Sequence, residues 1–211
     1  MTTVLSVKDL EHSYDHRHFL SFPDFEMTEN SNLLILGNSG VGKTTLLHLL
    51  ALILPVQKGK INLNGQEINE LSANKLAKFR AKNIGLIFQQ SHFVNSLNAL
   101  ENLQLATYLG KTMVKNNQLN DLLKSLGLDD LKNKPVYQLS GGERQRLGIA
   151  RALVNSPKII LADEPTSNLD DQNTEKVADL LLSSAANFKA NLIIVMHDHR
   201  LKSKISNQIM L

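Results

Sequence analysis

The sequence predicts an α/β fold in which a mainly parallel sheet is covered by helices and carries a helical insertion. Short β-branched and leucine-rich runs alternate with longer helical patterns, and this alternation is typical of parallel sheets covered by helices. The segment between about Gln90 and Tyr137 is instead polar and helical, with no convincing strand. We interpret this segment as an insertion into the α/β core.

The individual elements are predicted from apolar periodicity along the chain. Runs of apolar and β-branched residues predict strands at Val4–Val7, Phe22–Met27, Leu33–Leu36, Lys60–Leu63, Ile84–Phe88, Ile159–Ala162 and Leu192–Met196. Apolar residues at three-to-four spacing predict helices at Lys43–Leu54, Ala73–Lys82, Leu97–Leu109, Asn117–Leu126, Gly141–Asn155 and Asp171–Asn187. The strand that begins at Lys60 runs into Asn64-Gly65, which is a strong signal for a hairpin turn.

The composition is that of a globular domain without covalent cross-links. Of the 211 residues, 42% are hydrophobic and none is cysteine, so a core can form while disulfides and thiolate metal sites are excluded. We expect one domain over residues 1–211. Its core is predicted at about 1–89 and 157–211, and its helical subdomain at about 90–156.

Charge and hydropathy restrict the partners. The formal net charge is +3 and the 23 basic residues are dispersed rather than clustered, so no nucleic-acid partner is expected. The N-terminus lacks the apolar stretch of a signal peptide. The most apolar run, 46–54, is interrupted by His48 and is shorter than the roughly 20 residues that span a bilayer. A role at the membrane would therefore require a partner subunit.

A phosphate-binding loop is predicted at Gly37–Thr44. The residues GNSGVGKT fit the pattern G-x-x-x-x-G-K-[ST], with an apolar strand before the loop and an amphipathic helix after it. The glycines let backbone N–H groups surround an anion at the positive end of the helix. Lys43 would reach the β- and γ-phosphates, and the Thr44 hydroxyl would bind Mg²⁺. The alternative is a glycine-rich turn that matches by chance, which this context disfavours.

An acidic pair ends the predicted strand Ile159–Ala162. Carboxylates at the carboxyl end of a central strand lie where α/β folds bind ligands, so Asp163 is expected to complete the Mg²⁺ site with Thr44. Glu164 should point to the opposite face by strand alternation and polarise the water that attacks the γ-phosphate. The alternative is an ordinary acidic exit from a strand, which is less favoured beside a phosphate-binding loop.

The stretch LSGGERQRLGIARAL begins a helix on Gly141-Gly142, although glycine costs about 1 kcal/mol relative to alanine in a helix. Ser140 and Glu143 have capping-box spacing, but this does not explain the glycines. Two missing Cβ atoms leave N–H donors exposed at the positive end of the helix, a surface that suits a phosphate. Because the chain already has a phosphate loop, we infer that this second site serves a nucleotide held by another subunit.

These motifs, in this order, resemble the ATP-binding cassette (ABC) ATPases over essentially the whole chain. LSGGE (139–143) matches the signature of the family, and ILADEP (160–165) its metal-and-base strand. SNLD (167–170) resembles the loop after that strand, VMHD (195–198) contains the switch histidine His197, and IFQQ (87–90) contains the lid glutamine Gln89. The methionine before His197 departs from the commoner threonine.

The resemblance implies a phosphate-loop NTPase core, an N-terminal antiparallel β subdomain and a helical insertion. It also implies a homodimer in the ATP-bound state, formed head to tail with each ATP between one phosphate-binding loop and the signature of the other chain. Glu164 would be the general base, His197 would contact the γ-phosphate and Gln89 would sense Mg²⁺ and water, while Asp170 would brace the facing subunit. The implied nucleotide contacts are Tyr14, Asn38, Ser39, Gly40, Val41, Gly42, Lys43, Thr44, Thr45, Ser140, Gly141 and Gly142. The implied metal contacts are Thr44, Gln89 and Asp163.

Alternatives remain at two levels. Taken alone, Tyr14 is equally a core or edge aromatic, and His197 and Gln89 are weak signals. At the level of function, the alternatives are a non-transport cassette protein that acts on nucleic acid or ribosomes and a phosphate-loop kinase.

Within the family, the chain is similar to small ATPases that work with lipoprotein-releasing, macrolide-exporting or cell-division permeases. This similarity implies an integral membrane permease of the FtsX-like type as partner, and a cytoplasmic protein bound peripherally to the inner face of the membrane.

Overall fold

The computed structural model describes residues 2–90, 92–167, 170–197 and 200–211. Within these ranges, ten strands form two five-stranded sheets. The strands are β1 (Thr3–His12), β2 (Leu20–Ser21), β3 (Phe25–Thr28), β4 (Asn32–Leu36), β5 (Lys58–Leu63), β6 (Gln66–Glu67), β7 (Ile84–Ile87), β8 (Ile159–Asp163), β9 (Asn191–Met196) and β10 (Gln208–Met210). The α-helices are α1 (Lys43–Leu50), α2 (Ala73–Asn83), α3 (Ala99–Gly110), α4 (Asn116–Ser125), α5 (Gly141–Leu153) and α6 (Asp171–Phe188). Short 3₁₀ helices lie at Ile68–Glu70, Asp129–Leu131 and Val136–Gln138.

The larger core is built on a parallel sheet in the order β10-β4-β9-β8-β7. Every pairing in this sheet is parallel, as the alternation of strands and helices predicts. At its carboxyl edge Leu36 pairs with Met196, Asp163 with Val195, and Ile87 with Ala162. The loops that follow β4, β9, β8 and β7 therefore leave the sheet side by side, and these loops carry the predicted catalytic motifs.

The second sheet is antiparallel and is centred on β1, which pairs with β2, β3 and β5. The hairpin predicted at Asn64-Gly65 is confirmed and joins β5 to β6. Asn64 and Gly65 both have positive φ, 53° and 80°, which is the backbone conformation of the tight hairpin turn that Asn-Gly favours.

The two faces of the parallel sheet bury different layers. The first face packs with α1 against the antiparallel sheet, so that the leucines of α1 lie between the two sheets. The second face packs against α5, α6 and the insertion helices α3 and α4, through buried residues such as Leu103, Leu123 and Leu147. The insertion therefore shares a hydrophobic core with the parallel sheet, and its predicted subdomain boundaries stay predictions.

The predicted strand Phe22–Met27 is wrong over its first three residues, because β3 begins only at Phe25. Phe22 is buried and its N–H donates to Leu10 O at 2.9 Å. Pro23 then lacks an N–H with which to continue the ladder. The Asp24 carboxylate accepts the N–H of Asp9 at 2.7 Å in place of a backbone partner.

The predicted helix Lys43–Leu54 is too long, because α1 ends at Leu50. Leu52 adopts a left-handed conformation with φ of 56°. The N–H groups of Ile53 and Leu54 both donate to His48 O, at 2.9 and 3.2 Å, and close the helix end. Pro55 disfavours helical backbone at the residue before it. Strands β2, β6 and β10 were not predicted, because each spans only two or three residues.

Gly85 in β7 allows α5 to approach the sheet closely. A Cβ built on Gly85 would overlap the carbonyl oxygen of Ala152, near the end of α5. This contact involves backbone atoms on both sides, so neither partner can rotate away from it. The position of α5, whose N-terminus carries the signature, therefore depends on the absence of a side chain at residue 85.

We predict that Gly85→Ala lowers the free energy of unfolding by about 1–3 kcal/mol, the usual cost of overpacking a closely packed contact. Gly141→Ala is the matched control, because a Cβ at that position would meet nothing within 4 Å. The control should be as stable as the wild type or slightly more stable, since alanine is the better helix former. Urea unfolding measures both variants, and equal stability of the Gly85→Ala variant and the wild type would contradict the contact.

Candidate active site

The phosphate-binding loop connects β4 to α1 as predicted. Its glycines are required by the backbone, since Gly40 and Gly42 have φ of 86° and 102°, a region that favours glycine. Gly42 immediately precedes α1, so the loop meets the positive end of a helix. Lys43 is 6% exposed and its Nζ donates to Asn38 O at 2.9 Å. The buried side chain of Lys43 therefore crosses the loop to reach Asn38, while residues 38–40 and Thr44 are exposed to solvent.

Asp163, the last residue of β8, lies beside Thr44. Its Oδ1 is buried and has no hydrogen-bond partner among the described residues. Burial, and then the neighbouring Glu164, raise the pKa of Asp163 above its usual value, whereas a hydrogen bond with Thr44 lowers it. A buried carboxylate oxygen without a donor is unfavourable unless a proton or a cation approaches it. The carboxylate of Asp163 and the hydroxyl of Thr44 therefore fit a hard cation such as Mg²⁺.

Glu164 does not continue the strand, and the prediction that alternation sets its direction is wrong. β8 ends at Asp163, and Glu164 has a left-handed conformation with φ of 43°. Its N–H donates to Val195 O at 2.8 Å, and its Oε1 lies 3.0 Å from Nδ1 of His197. The turn at Glu164 and its contact with His197 therefore determine the orientation of this carboxylate. The predicted base and the predicted switch histidine are thus in direct contact.

Gln89 lies after β7 and contacts the turn that follows Glu164. Its Nε2 donates to Ser167 Oγ at 3.0 Å. From the other side, Gln145 of α5 donates from Nε2 to Pro165 O at 2.5 Å. Gln145 was missed by the sequence analysis. Nothing in its local pattern indicates a partner 20 positions further along the chain.

The signature forms the predicted capping box at the start of α5. Ser140 Oγ accepts from the Glu143 N–H at 3.3 Å, and Glu143 Oε2 accepts from the Ser140 N–H at 2.7 Å. These hydrogen bonds with Ser140 lower the pKa of the Glu143 carboxyl. The side chains of Ser140 and Glu143 thus satisfy local backbone donors.

No contact among the described residues explains the two glycines of the signature. A Cβ on Gly141 would meet nothing within 4 Å, and one on Gly142 would meet only Nη1 of Arg146 at 3.8 Å. Neither glycine has the positive φ that would require glycine. Since both face solvent, the absence of side chains leaves backbone donors accessible from outside the protomer.

An open cavity of about 630 Å³ lies between the signature and the catalytic turn. It is lined on one side by Gly141, Gly142 and Gln145 and on the other by Gln89 and Glu164. Of the residues that the structure describes, none from the phosphate-binding loop lines it. The exposed glycines therefore open on a different surface from the chain's own phosphate-binding loop.

Tyr14 lies next to the phosphate-binding helix. Its hydroxyl is 3.1 Å from Thr45 Oγ1, and its ring makes an edge contact with His12 at 4.8 Å. The side chain is 67% exposed, so a ring face is accessible to a ligand. This placement agrees with the predicted contact with adenine, which stays a prediction.

Three residues of the predicted motifs lie outside the described residues: Asn168 and Leu169 of SNLD, and Asp198 of VMHD. Asp170 is described, and its Oδ1 accepts the Asn173 N–H at 2.8 Å at the start of α6. That contact is an ordinary helix cap. The predicted bracing of a facing subunit by Asp170 remains a prediction.

The structure thus gathers most of the predicted hydrolytic residues at one edge of the parallel sheet. The phosphate-binding loop, Asp163, Glu164, His197 and Gln89 follow four neighbouring strands. Among the described residues, no group of three or more histidine, cysteine, aspartate or glutamate side chains could hold a metal ion. A bound Mg²⁺ would therefore need phosphate oxygens and water as further ligands.

Comparisons with known proteins identify the family of the chain. A family model described as "ABC transporter" matches residues 20–167. The lipoprotein-releasing system ATP-binding protein LolD of Francisella tularensis (strain FSC 198) is 38% identical over 210 residues, covering 96% of this chain and 91% of that protein. LolD of Buchnera aphidicola (subsp. Acyrthosiphon pisum, strain APS) is 37% identical over 202 residues, with coverage of 95% and 87%.

Solved structures share the fold. The dimeric structure of MJ0796, a bacterial ABC transporter cassette, has a TM-score of 0.84 at 29% identity, covering 98% of this chain and 94% of that one. The same cassette has also been solved in a post-hydrolysis state bound to ADP and Pi. CbiO1 from Clostridium perfringens, part of an ABC transporter complex, has a TM-score of 0.88 at 26% identity, with coverage of 100% and 85%. The chain belongs to the ABC transporter family, in which it is an ATP-hydrolysing subunit.

Proposed function

We propose that this subunit hydrolyses Mg·ATP in two sites that are shared between two copies of the chain. The observation that carries the proposal is the solvent-exposed Gly141-Gly142 tip, which has no role in the fold of a single copy. The tip shares a cavity with Glu164 and Gln89, and of the described residues none from the chain's own phosphate-binding loop lines that cavity. In a head-to-tail dimer with isologous symmetry, the tip of each copy would face the nucleotide of the other.

The phosphate-binding loop would hold the nucleotide through backbone N–H groups and Lys43. In the structure Nζ of Lys43 donates to the carbonyl of Asn38, a weak neutral partner that phosphate oxygens would replace. Thr44 and Asp163 would hold Mg²⁺, which neutralises charge on the phosphate oxygens when bound. Tyr14 would stack on the adenine beside the same helix.

Glu164 would accept a proton from the water that attacks the γ-phosphorus as the bond to the β-γ bridging oxygen breaks. Its carboxylate is held by Nδ1 of His197 at 3.0 Å, so base and histidine are already aligned. The other ring nitrogen of His197, Nε2, would contact the γ-phosphate. Gln89, already fixed on Ser167 at 3.0 Å, would orient the water and contact Mg²⁺.

The partner of the dimer would be an integral membrane permease of the FtsX-like type. Two relatives that match the chain over nearly its whole length are named as lipoprotein-releasing system ATP-binding proteins, which supports this assignment. No described helix has the length and apolar character to cross a membrane. Through that permease, the chain would bind the cytoplasmic face of the membrane. Capture of a permease from membranes with the tagged chain tests the assignment, and capture of nucleic acid or ribosomes would contradict it.

We predict that Glu164→Gln binds ATP but hydrolyses it at least about 100-fold more slowly, because a general base contributes 10²–10⁴-fold to rate. Without turnover, the ATP-bound dimer should accumulate on size-exclusion chromatography. Lys43→Ala is the control, and it should lose ATP binding and remain a monomer. A Glu164→Gln variant that stays monomeric with saturating ATP would contradict the shared site.

A second prediction concerns Asp163, whose pKa is raised by burial and by Glu164. A raised pKa in the folded state gives stability that is present below the unfolded-state pKa and is lost as the pH rises through the folded-state value. Asp163→Asn removes the charge that is unfavourable at pH 7. The nucleotide-free variant should therefore have a Tm a few degrees above that of the wild type.

The Tm difference should shrink as the pH falls through the raised pKa of Asp163, because the carboxyl of the wild type is then protonated and neutral as well. Asp130→Asn is the control, since Asp130 is exposed in the helix Asp129–Leu131, and it should leave the Tm unchanged. Thermal unfolding across pH measures both variants. A lower Tm of Asp163→Asn at pH 7 would contradict the claim that the charge of Asp163 destabilises the nucleotide-free protein and serves to bind a cation.

A further inference from the structure

The turn that follows Glu164 is held by side chains from three separate elements. Gln145 of α5 donates to Pro165 O at 2.5 Å, and Gln89, after β7, donates to Ser167 Oγ at 3.0 Å. Arg200, after β9, donates to Thr166 O at 3.3 Å. Pro165 and Thr166 are both buried. The segment that carries the predicted base is therefore fixed by contacts that are distant in sequence.

This fixation matters because Glu164 has an unfavourable backbone conformation. Its φ of 43° lies in the left-handed region, which costs a residue other than glycine about 1–3 kcal/mol and persists only where the surroundings hold it. The carbonyl that accepts from Gln145 belongs to the next residue, Pro165. A change in that hydrogen bond is thus transmitted to the Glu164 backbone through two covalently linked peptide units.

Gln145 also lies next to the exposed glycine tip. Residues four apart lie on the same face of an α-helix, so Gln145 stands one turn below Gly141. The helix between them is well anchored, by the capping box at Ser140 and Glu143 and by the close approach of its far end to Gly85. A displacement of Gly141-Gly142 is therefore expected to move α5, and Gln145 with it.

We propose that Gln145 is a positioning residue that couples the two nucleotide sites of the dimer. The proposal rests on the shared-site function proposed above. A phosphate bound at the Gly141-Gly142 tip belongs to the nucleotide of the partner, whereas Glu164 of the same chain acts on that chain's own nucleotide. The side chain of Gln145 connects the Gly141-Gly142 tip to the backbone next to Glu164. Binding of the partner's nucleotide at the tip therefore positions Glu164 for hydrolysis of the chain's own nucleotide.

The sequence offers suitable variants for a test. Gln145→Met keeps the length of the side chain and removes the donor, while Gln145→Lys keeps a donor that can reach Pro165 O. Gln138→Met is the matched control. Gln138 is exposed two residues before the signature helix cap, and its Nε2 lies 3.3 Å from the hydroxyl of the adjacent Tyr137. Steady-state hydrolysis by the full chain is measured against ATP concentration for each variant.

We predict that Gln145→Met lowers kcat about three- to tenfold, the change that corresponds to one neutral hydrogen bond. The Hill coefficient for ATP should fall toward 1, because ATP binding at one site no longer affects the other site. The half-saturating ATP concentration and the Tm should stay close to the wild-type values. Gln145→Lys should retain most of kcat and of the cooperativity, and Gln138→Met should match the wild type.

A second measurement separates positioning from a structural defect. In a Glu164→Gln background, Gln145→Met should still form the ATP-bound dimer, since the coupling acts on the base and leaves the binding surface intact. Loss of that dimer, or a Tm decrease that parallels the loss of kcat, would overturn the proposal. An unchanged Hill coefficient in Gln145→Met, or equal losses in the Met and Lys variants, would also overturn it.

The cooperativity of the wild type distinguishes a failure of the role of Gln145 from a failure of the shared-site function on which that role rests. A cooperative wild type with an unaffected Gln145→Met variant contradicts the role of Gln145 alone. A non-cooperative wild type together with a monomeric Glu164→Gln variant contradicts the shared site, and the inference with it.

Discussion

Parallel pairing of β8 between β7 and β9 determines where the charged groups of the active site lie. The register places the ends of these strands and of β4 side by side, so four loops from distant parts of the chain converge. This edge brings Lys43, Asp163, Glu164 and His197 to the same side of the sheet. Because the strands are buried on both faces, a one-residue shift of register would exchange the side chains that pack in the two different cores, so the register is strongly specified.

Several features of this edge and of the signature lower the stability of a single copy. Asp163 keeps a buried oxygen without a hydrogen-bond partner among the described residues, Glu164 holds a left-handed backbone, and Gly141 and Gly142 open a helix where alanine would fit. None of these is explained by packing within the chain. In the proposed dimer, a cation would bind at Asp163, Glu164 would act on the attacking water, and the two glycines would face the nucleotide of the other copy. Local rules of stability fail most often at functional sites, and here they fail at positions that the proposed reaction uses.

Local patterns predicted much of the molecule. The phosphate-binding loop, the Asn64-Gly65 hairpin and the capping box of the signature depend on residues close together in sequence, and all three were confirmed. The direction of Glu164 was mispredicted because it depends on a turn closed by Val195 and His197, which are about 30 positions away. The end of α1 was misplaced because apolar periodicity continues past Leu50, while the helix is closed by the left-handed backbone at Leu52 and by the N–H groups of Ile53 and Leu54 on His48 O. Gln145 has no sequence signal, since its partner is a backbone carbonyl that only the tertiary fold brings near.

The central claim is that the glycine tip of one copy completes the site of the other, and complementation between two defective variants tests it most directly. Lys43→Ala removes the nucleotide from its own loop, and Gly142→Asp places a negative charge on the exposed tip, where an acidic residue is compatible with a helix N-terminus. Each variant alone should be nearly inactive. An equimolar mixture should recover up to roughly a quarter of wild-type ATPase activity, because half the dimers are mixed and each has one intact site. A mixture no more active than its separate components, or full activity of Gly142→Asp alone, would contradict the shared site.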